Sequence, residues 1–438
     1  MTAQNSGQDA SPLRLGIAGL GTVGTGTVKI LQRHAALLAT RAGRPISVTA
    51  VSARSRAKNR DIDLSGYAWE DDPRSLAVRD DVDVFVELVG GDEGVAREAV
   101  TAALKAGKDV VTANKALLAI HGQELAELAD ANGCVLRFEA AVAGGIPVIK
   151  TMTESLAGND IRRVMGVMNG TCNYILTRME NAGLPYDTVF EEARQLGYLE
   201  ADPTLDVGGI DASHKLAILA SIAFGTRPTF GAVEIEGIER VSIDDIRRAA
   251  DMGYRIKLLG VAQMTGRGLE QRMSPCLVPA DSPLGQLQGG TNMVVIEGDS
   301  VGQIVLRGAG AGEGPTASAV LSDIVEIARG VRMPAFAQPA SQLSTPVSAR
   351  TAVPAAYYLR LQLADKPGAL AKVATVLGDA GVSIDRMRQY GKHDTEGVAP
   401  VLIVTHKTTP EAIDLAIEAL PRTGVIHGEP VELRIEEV

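Results

Sequence analysis

The apolar positions of this chain fall into two spacings that take turns. Residues 13–18 are a short apolar run, broken at once by GLGTVG, and GTVKILQRHAALLA then continues with helical spacing. Further apolar runs at 46–51, 82–91 and 109–112 are separated by amphipathic stretches such as AREAVTAALKAGK. Short apolar runs bounded by glycine predict strands, and i, i+3, i+4 spacing predicts helices. Their alternation predicts an α/β fold with a Rossmann-type parallel sheet. The run 134–152 starts as a strand and ends with helical spacing.

From about residue 151 the pattern changes. IRRVMGVMNGTCNYIL predicts a strand, a tight turn at Asn169–Gly170 and a helix start. Residues 193–215 (ARQLGYLEADPTLDVGGIDASHK) open as a loop broken by Pro203, Gly208 and Gly209. DASHKLAILASIAF is helical. Strands near 233–238, 256–262 and 293–297 predict an α+β segment whose strand order the pattern leaves open. Residues 303–329 return to strand, glycine loop and helix. Pro334, Pro339, Pro346 and Pro354 mark a linker over 334–354. The remainder reads strand, helix, strand, strand, helix, strand, which is the ferredoxin-like βαββαβ order. The expected domains are 1–150 with 306–333 for nucleotide, 151–305 for substrate and dimerisation, a linker at 334–354, and a terminal unit at 355–438.

With 438 residues there is room for two or three domains. A net charge of −10 argues against general nucleic-acid binding. No apolar run reaches membrane-spanning length, and the polar MTAQNSGQDASP lacks a signal-peptide core, so a cytoplasmic protein is expected. Cys134, Cys172 and Cys276 have no metal-ligand spacing.

Strand, GxGxxG and helix in that order form a dinucleotide fingerprint. Gly19 would make the turn, Gly21 would admit a pyrophosphate, and Gly24 would let helix and strand pack; Leu20, Thr22 and Val23 complete the loop. After the second strand, Arg54 and Arg56 stand where an NAD-preferring chain commonly has an acid. Either they are solvated, or one pairs with a 2′-phosphate; NADP is expected over NAD. Lys115 falls beyond a strand end, where parallel sheets bind ligands. Asp211 and Lys215 are four apart and share a helix face. With Glu200 and Asp206 they would suit a small zwitterion: carboxylates grip an ammonium, and a lysine moves protons if burial lowers its pKa. Asn169, Gly170 and Thr171 would offer amides and a hydroxyl to a carbonyl or carboxylate. Glu139 is an acid in an apolar run and needs a partner, whether an arginine, backbone amides or a cation.

The run A-x3-G-Y-x3-D-P-x2-D-V-x-G-x-D-x3-K, from Ala193 to Lys215, resembles the signature of homoserine dehydrogenases. Leu199 departs from the small residue usual there. TANKALLA, NGTCNYIL and GAGAG…PTASAV resemble the same family, and DKPGALAKVATVLGDAGVSID resembles an ACT domain. The resemblance implies interconversion of L-aspartate 4-semialdehyde and L-homoserine with NADPH or NADH, in threonine, methionine and isoleucine biosynthesis. It implies catalytic roles for Lys215 and Lys115, with Lys115 between cofactor and substrate, and places Gly312 near the cofactor. It further implies a structural sodium ion on Glu139, Val142, Gly144 and Ile146, a homodimer or homotetramer, and an ACT domain that either binds L-threonine as an effector or serves only as a dimerisation module. Two rivals are weighed against it. A phosphorylating aspartate-semialdehyde dehydrogenase would use Cys172 as nucleophile. A non-enzymatic sensor of nucleotide and amino acid would use the same two binding modules.

Overall fold

In a computed structural model, residues 11–199, 202–349, 353–390 and 397–438 are described. The first six strands are β1 (Leu13–Ala18), β2 (Ile46–Ser52), β3 (Ala68–Glu70), β4 (Val84–Glu87), β5 (Asp109–Thr112) and β6 (Leu136–Arg137). They form one parallel sheet in the order β3-β2-β1-β4-β5-β6. Leu15, Ile17, Val84, Val86 and Val111 are fully buried, as expected of a parallel sheet covered on both faces. The strand order reverses between β1 and β4, which opens a crevice beyond their carboxyl ends. Helix Glu313–Ala328 joins this sheet from far along the chain: Val320 and Ile324 share a core with Leu15, Ile17 and Val28 of helix Thr22–Arg33. The helical pattern after the glycine loop is split, with a second helix Ala35–Ala42 beyond His34.

The chain divides into two compact units. Residues up to Gly170, with Asp211–Val233 and Thr291–Pro346, make the first; Thr171–Ile210, Glu234–Gly290 and Val347–Val438 make the second. Besides the parallel sheet, the first unit pairs Thr291–Gly298 antiparallel with both Ile161–Val167 and Gly302–Ala309.

In the second unit, Tyr254–Thr265 and Gly268–Pro279 form a long antiparallel hairpin. The terminal elements follow the expected βαββαβ order: Ala356–Ala364, Ala369–Asp379, Ile384–Gln389, Val398–Thr405, Pro410–Ala419 and Val431–Ile435. The last strand pairs antiparallel with Ala356–Ala364 and, on its other side, parallel with Gly268–Pro279. One sheet therefore runs from the hairpin into the terminal module.

The proline-rich connection is pinned. Within the first unit, Phe336 is 1% exposed and its ring lies 5.3 Å from that of Phe138. Gln123 donates to the Ala340 carbonyl (3.0 Å), and Asp130 accepts from the Ala340 amide (2.8 Å). Within the second, Leu269 donates to the Val347 carbonyl and accepts from the Ala349 amide. Proline-rich composition reports a lack of regular structure, and it is blind to the single aromatic that anchors such a strap.

Candidate active site

The glycine loop closes tightly on itself. Gly19 adopts φ +96°, and a Cβ there would sit 2.3 Å from the Leu88 carbonyl oxygen. A Cβ on Gly24 would fall 1.9 Å from the Gly19 carbonyl oxygen. Both positions therefore require glycine. Nothing lies within 4 Å of a Cβ built on Gly21, so the loop leaves open space where a dinucleotide pyrophosphate would approach the backbone. Helix Thr22–Arg33 begins there without a side-chain cap, leaving its first amides to an anion. The loop fits the cofactor its motif announces. Arg54 and Arg56 lie in an exposed turn just beyond β2. Gly312, at φ 122°, caps helix Glu313–Ala328, and Glu313 pairs with Lys29 of the glycine-loop helix at 2.9 Å.

Two lysines meet on one carboxylate within the first unit. Lys115 opens helix Lys115–Ala131 directly after β5, with Asn114 capping the helix by accepting from the Leu117 amide. Its Nζ lies 2.7 Å from Asp211 Oδ1. Lys215 Nζ lies 2.7 Å from Asp211 Oδ2 and donates to the Met168 carbonyl at 2.8 Å. Both Asp211 oxygens are thus engaged by ammonium groups. Burial would push the Asp211 carboxyl up; the charges of Lys215 and Lys115 outweigh it and hold the group well below the ordinary carboxylate range. The lysine side chains differ in access: Lys215 is 10% exposed and Lys115 33%. Next to Lys215, His214 packs on Phe230, and burial lowers its pKa, which favours the neutral ring.

The remaining proposed substrate groups divide between the units. Asn169, buried, and Gly170 belong to the first; helix Gly170–Ala182 starts at the latter. In the second, the Thr171 hydroxyl donates to the Tyr198 carbonyl (3.0 Å), which leaves its oxygen as an acceptor. Asp206 lies buried in the short helix Thr204–Val207. Glu200 falls outside the described residues. Cys172 is fully buried and its thiol donates to the Asp206 carbonyl at 3.2 Å. A thiol held as a donor is not the exposed thiolate that acyl transfer needs, so the geometry goes against the Cys172 nucleophile of the phosphorylating rival.

Glu139 is nearly enclosed, and its carboxylate accepts from the amides of Ile149 (3.0 Å) and Lys150 (2.9 Å). Backbone amides are therefore partners, as one of the readings of this residue required. Burial, then the nearby Asp323, push its carboxyl up to about 8. Ala143 and Gly144 are both left-handed (φ 56° and 55°), a strained state for alanine that turns the backbone sharply beside Glu139. Hard cations take carboxylate oxygens of the kind Glu139 carries. Among the described residues no group of three or more His, Cys, Asp or Glu is placed to hold a metal ion.

One important side chain went unread in the sequence. Glu87, fully buried at the end of β4, accepts from the amides of Val89 (2.8 Å) and Gly90 (2.9 Å) and from the Thr112 hydroxyl. It thereby ties the ends of β4 and β5 together beside Lys115. The signal was available: one acid in the apolar run VFVELV.

A dinucleotide sheet whose carboxyl edge carries a carboxylate-bridged lysine pair defines a class, the nicotinamide-dependent oxidoreductases of small polar substrates. The homoserine dehydrogenase NAD-binding family model matches residues 19–139, the homoserine dehydrogenase model 147–325, and the ACT model 357–422. The homoserine dehydrogenase of Pseudomonas aeruginosa is 44% identical over 434 residues, 98% of this chain and 99% of the relative. That of Bacillus subtilis is 36% identical, covering 97% and 98%. The crystal structure of a homoserine dehydrogenase from Thiobacillus denitrificans superposes with a TM-score of 0.91 at 40% identity, over 98% of this chain and 99% of that one. A hyperthermophilic archaeal homoserine dehydrogenase mutant in complex with NADPH gives 0.62 at 30% identity, over 72% and 97%. The chain belongs to the homoserine dehydrogenase family. Its reaction is the NAD(P)-dependent interconversion of L-aspartate 4-semialdehyde and L-homoserine, an oxidoreduction at a CH–OH group. Neither the phosphorylating dehydrogenase nor the non-enzymatic sensor finds support.

Proposed function

We propose that Lys215 is the general acid/base of this reaction and that Lys115 assists it from the more open side. The supporting observation is the carboxylate of Asp211, which holds both ammonium groups at 2.7 Å. The nicotinamide, when bound, donates or accepts the hydride. As the neutral amine Lys215 takes the hydroxyl proton during oxidation, and as the ammonium it returns one to the carbonyl oxygen during reduction. Asp211, with both oxygens engaged, acts on the substrate through the lysines rather than by gripping its ammonium. That grip falls to Glu200 and Asp206, with Gly170 and Thr171 at the polar end of the substrate. Gly19, Leu20, Gly21, Thr22, Val23 and Gly24 cradle the pyrophosphate, Gly312 lies near the cofactor, and Arg54 favours NADP by meeting the 2′-phosphate. Turnover of homoserine with NADP by Lys215→Ala, beside the wild type, tests the assignment.

The finer readings follow from the same chemistry. A sodium ion on Glu139 and the carbonyls of Val142, Gly144 and Ile146 stabilises the turn after β6; its support is the buried carboxylate beside a strained alanine. The domain boundaries we propose are those of the sequence pattern: 1–150 with 306–333, 151–305, a linker at 334–354, and 355–438. The enzyme serves threonine, methionine and isoleucine synthesis in the cytoplasm. It assembles as a homodimer or homotetramer; the support is the exposed strand Ile384–Gln389, which ends its sheet among the described residues. L-threonine binds the ACT module and inhibits. Isothermal titration of the full chain with threonine tests this, and absence of both heat and inhibition would rule it out.

A further inference from the structure

Four cations fall within seven residues after β2: Arg54, Arg56, Lys58 and Arg60. The first three are exposed and Arg60 is half-buried. Arg60 directs its guanidinium at main chain. Its Nε donates to the Leu20 carbonyl (3.1 Å), one terminal nitrogen to the Lys58 carbonyl (2.8 Å), and the other to the Ser55 carbonyl (2.7 Å). Leu20 lies inside GLGTVG; Ser55 and Lys58 lie in the basic turn. One planar fork therefore clips the two loops together. Gln32, on the helix that the glycine loop starts, adds a second mooring through Nε2 to the Asp63 carbonyl (2.7 Å) and the Tyr67 hydroxyl (3.0 Å). Trp69, in β3, lies near both Arg56 and Arg60, whose guanidinium carbons are 5.8 and 5.9 Å from its ring centroid. It is the chain's single tryptophan.

We infer that Arg60 is a positioning residue for cofactor selectivity, holding the exposed turn of Arg54, Arg56 and Lys58 against the glycine loop so that a ribose 2′-phosphate meets a preformed basic site. The inference rests on the reading that the enzyme favours NADP. Cations that are already in place lose less freedom on binding than cations on a loose turn, so selectivity is set by the clip as well as by the charges.

The test uses the full-length wild type with Arg60→Ala, Arg60→Lys and Arg54→Ala. Each is titrated with 2′,5′-ADP and with 5′-AMP, which differ only by the 2′-phosphate, followed by Trp69 emission and by calorimetry. The wild type is expected to bind 2′,5′-ADP more tightly than 5′-AMP. Arg60→Ala is expected to lower that preference by about tenfold, worth about 1.4 kcal/mol, with 5′-AMP affinity unchanged. Arg60→Lys, which keeps the charge without the fork, should retain only part of it. An unchanged preference in Arg60→Ala overturns the inference. If Arg54→Ala loses the preference while Arg60→Ala keeps it, the NADP reading stands and the clip falls. If the wild type shows no preference, the NADP reading fails and the inference fails with it.

Discussion

Two buried carboxylates in this protein each bridge two cations, one in each unit, and they serve different ends. In the first unit Asp211 lies between Lys115 and Lys215. In the second, Glu436 lies between Arg272 and Arg434, with Arg434 Nε at 2.6 Å. Arg272 also donates to Glu270 (3.2 Å) and to the Cys276 sulfur (3.3 Å), and Arg434 to the Val353 carbonyl (2.7 Å). The cations account for the difference. An arginine stays charged at any working pH and forks to several acceptors, so a buried arginine pair holds strands together. A lysine is a compact charge that can give up a proton. Access follows the same division: the Glu436 and Arg272 side chains are each 4% exposed, whereas Lys115 is 33% exposed. The arginine network welds the last strand to the hairpin, and the lysine cluster stays open on one side.

The largest effect that separates them is on turnover. Lys215→Ala should lower kcat by about 10²–10⁴-fold, the usual share of a general acid/base, with the thermal midpoint little changed. A midpoint that falls along with turnover would place Lys215 with the structural pair. Glu436→Ala should behave in the opposite way. It removes the carboxylate that two buried guanidinium groups share, so urea unfolding should report a loss of about 3–5 kcal/mol, while turnover per folded molecule is kept. Truncation near residue 340 removes the same strand and should cost stability for the same reason.

Asp211 sharpens the comparison through pH. Its folded carboxyl lies below the ordinary aspartate value of 3.8, so its contribution is present above that value and lost as pH falls through the lower folded one. Urea midpoints of wild type and Asp211→Asn should therefore converge as pH drops below about 4. A constant gap across that range would show that the carboxylate's charge is not what stabilises the cluster.

Smaller effects concern selectivity and the thiol. Arg54→Ala should cost one charge-assisted hydrogen bond, about 1.5–3 kcal/mol, visible as at least a tenfold fall in the NADP-to-NAD efficiency ratio. An unchanged ratio would move the assignment to Arg56. Cys172→Ser should leave turnover essentially unchanged, because serine can also donate to the Asp206 carbonyl.

Much of this arrangement is local and hence legible in the chain. Strand, glycine loop and helix follow one another in sequence, and Asp211 and Lys215 share a helix face by spacing alone. The βαββαβ module reads directly from periodicity. What escapes is non-local. No spacing brings Lys115 to Asp211, and none shows that the last strand leaves a free-standing module to pair with Gly268–Pro279. Arg60 looks like one more solvated charge until its three carbonyl partners are known. Glu87 and Glu139 carry the same mark, an acid in an apolar run, yet the partner of each is a matter of tertiary structure.

Lys215→Arg puts the central claim to its most direct test. Arginine keeps a permanent positive charge near Asp211 and the Met168 carbonyl but does not release a proton in the working range. If Lys215 transfers a proton, homoserine and NADP binding measured by calorimetry will persist while single-turnover oxidation falls to the level of Lys215→Ala. Single-turnover rates near wild type in Lys215→Arg would contradict this, because charge alone would then account for the residue.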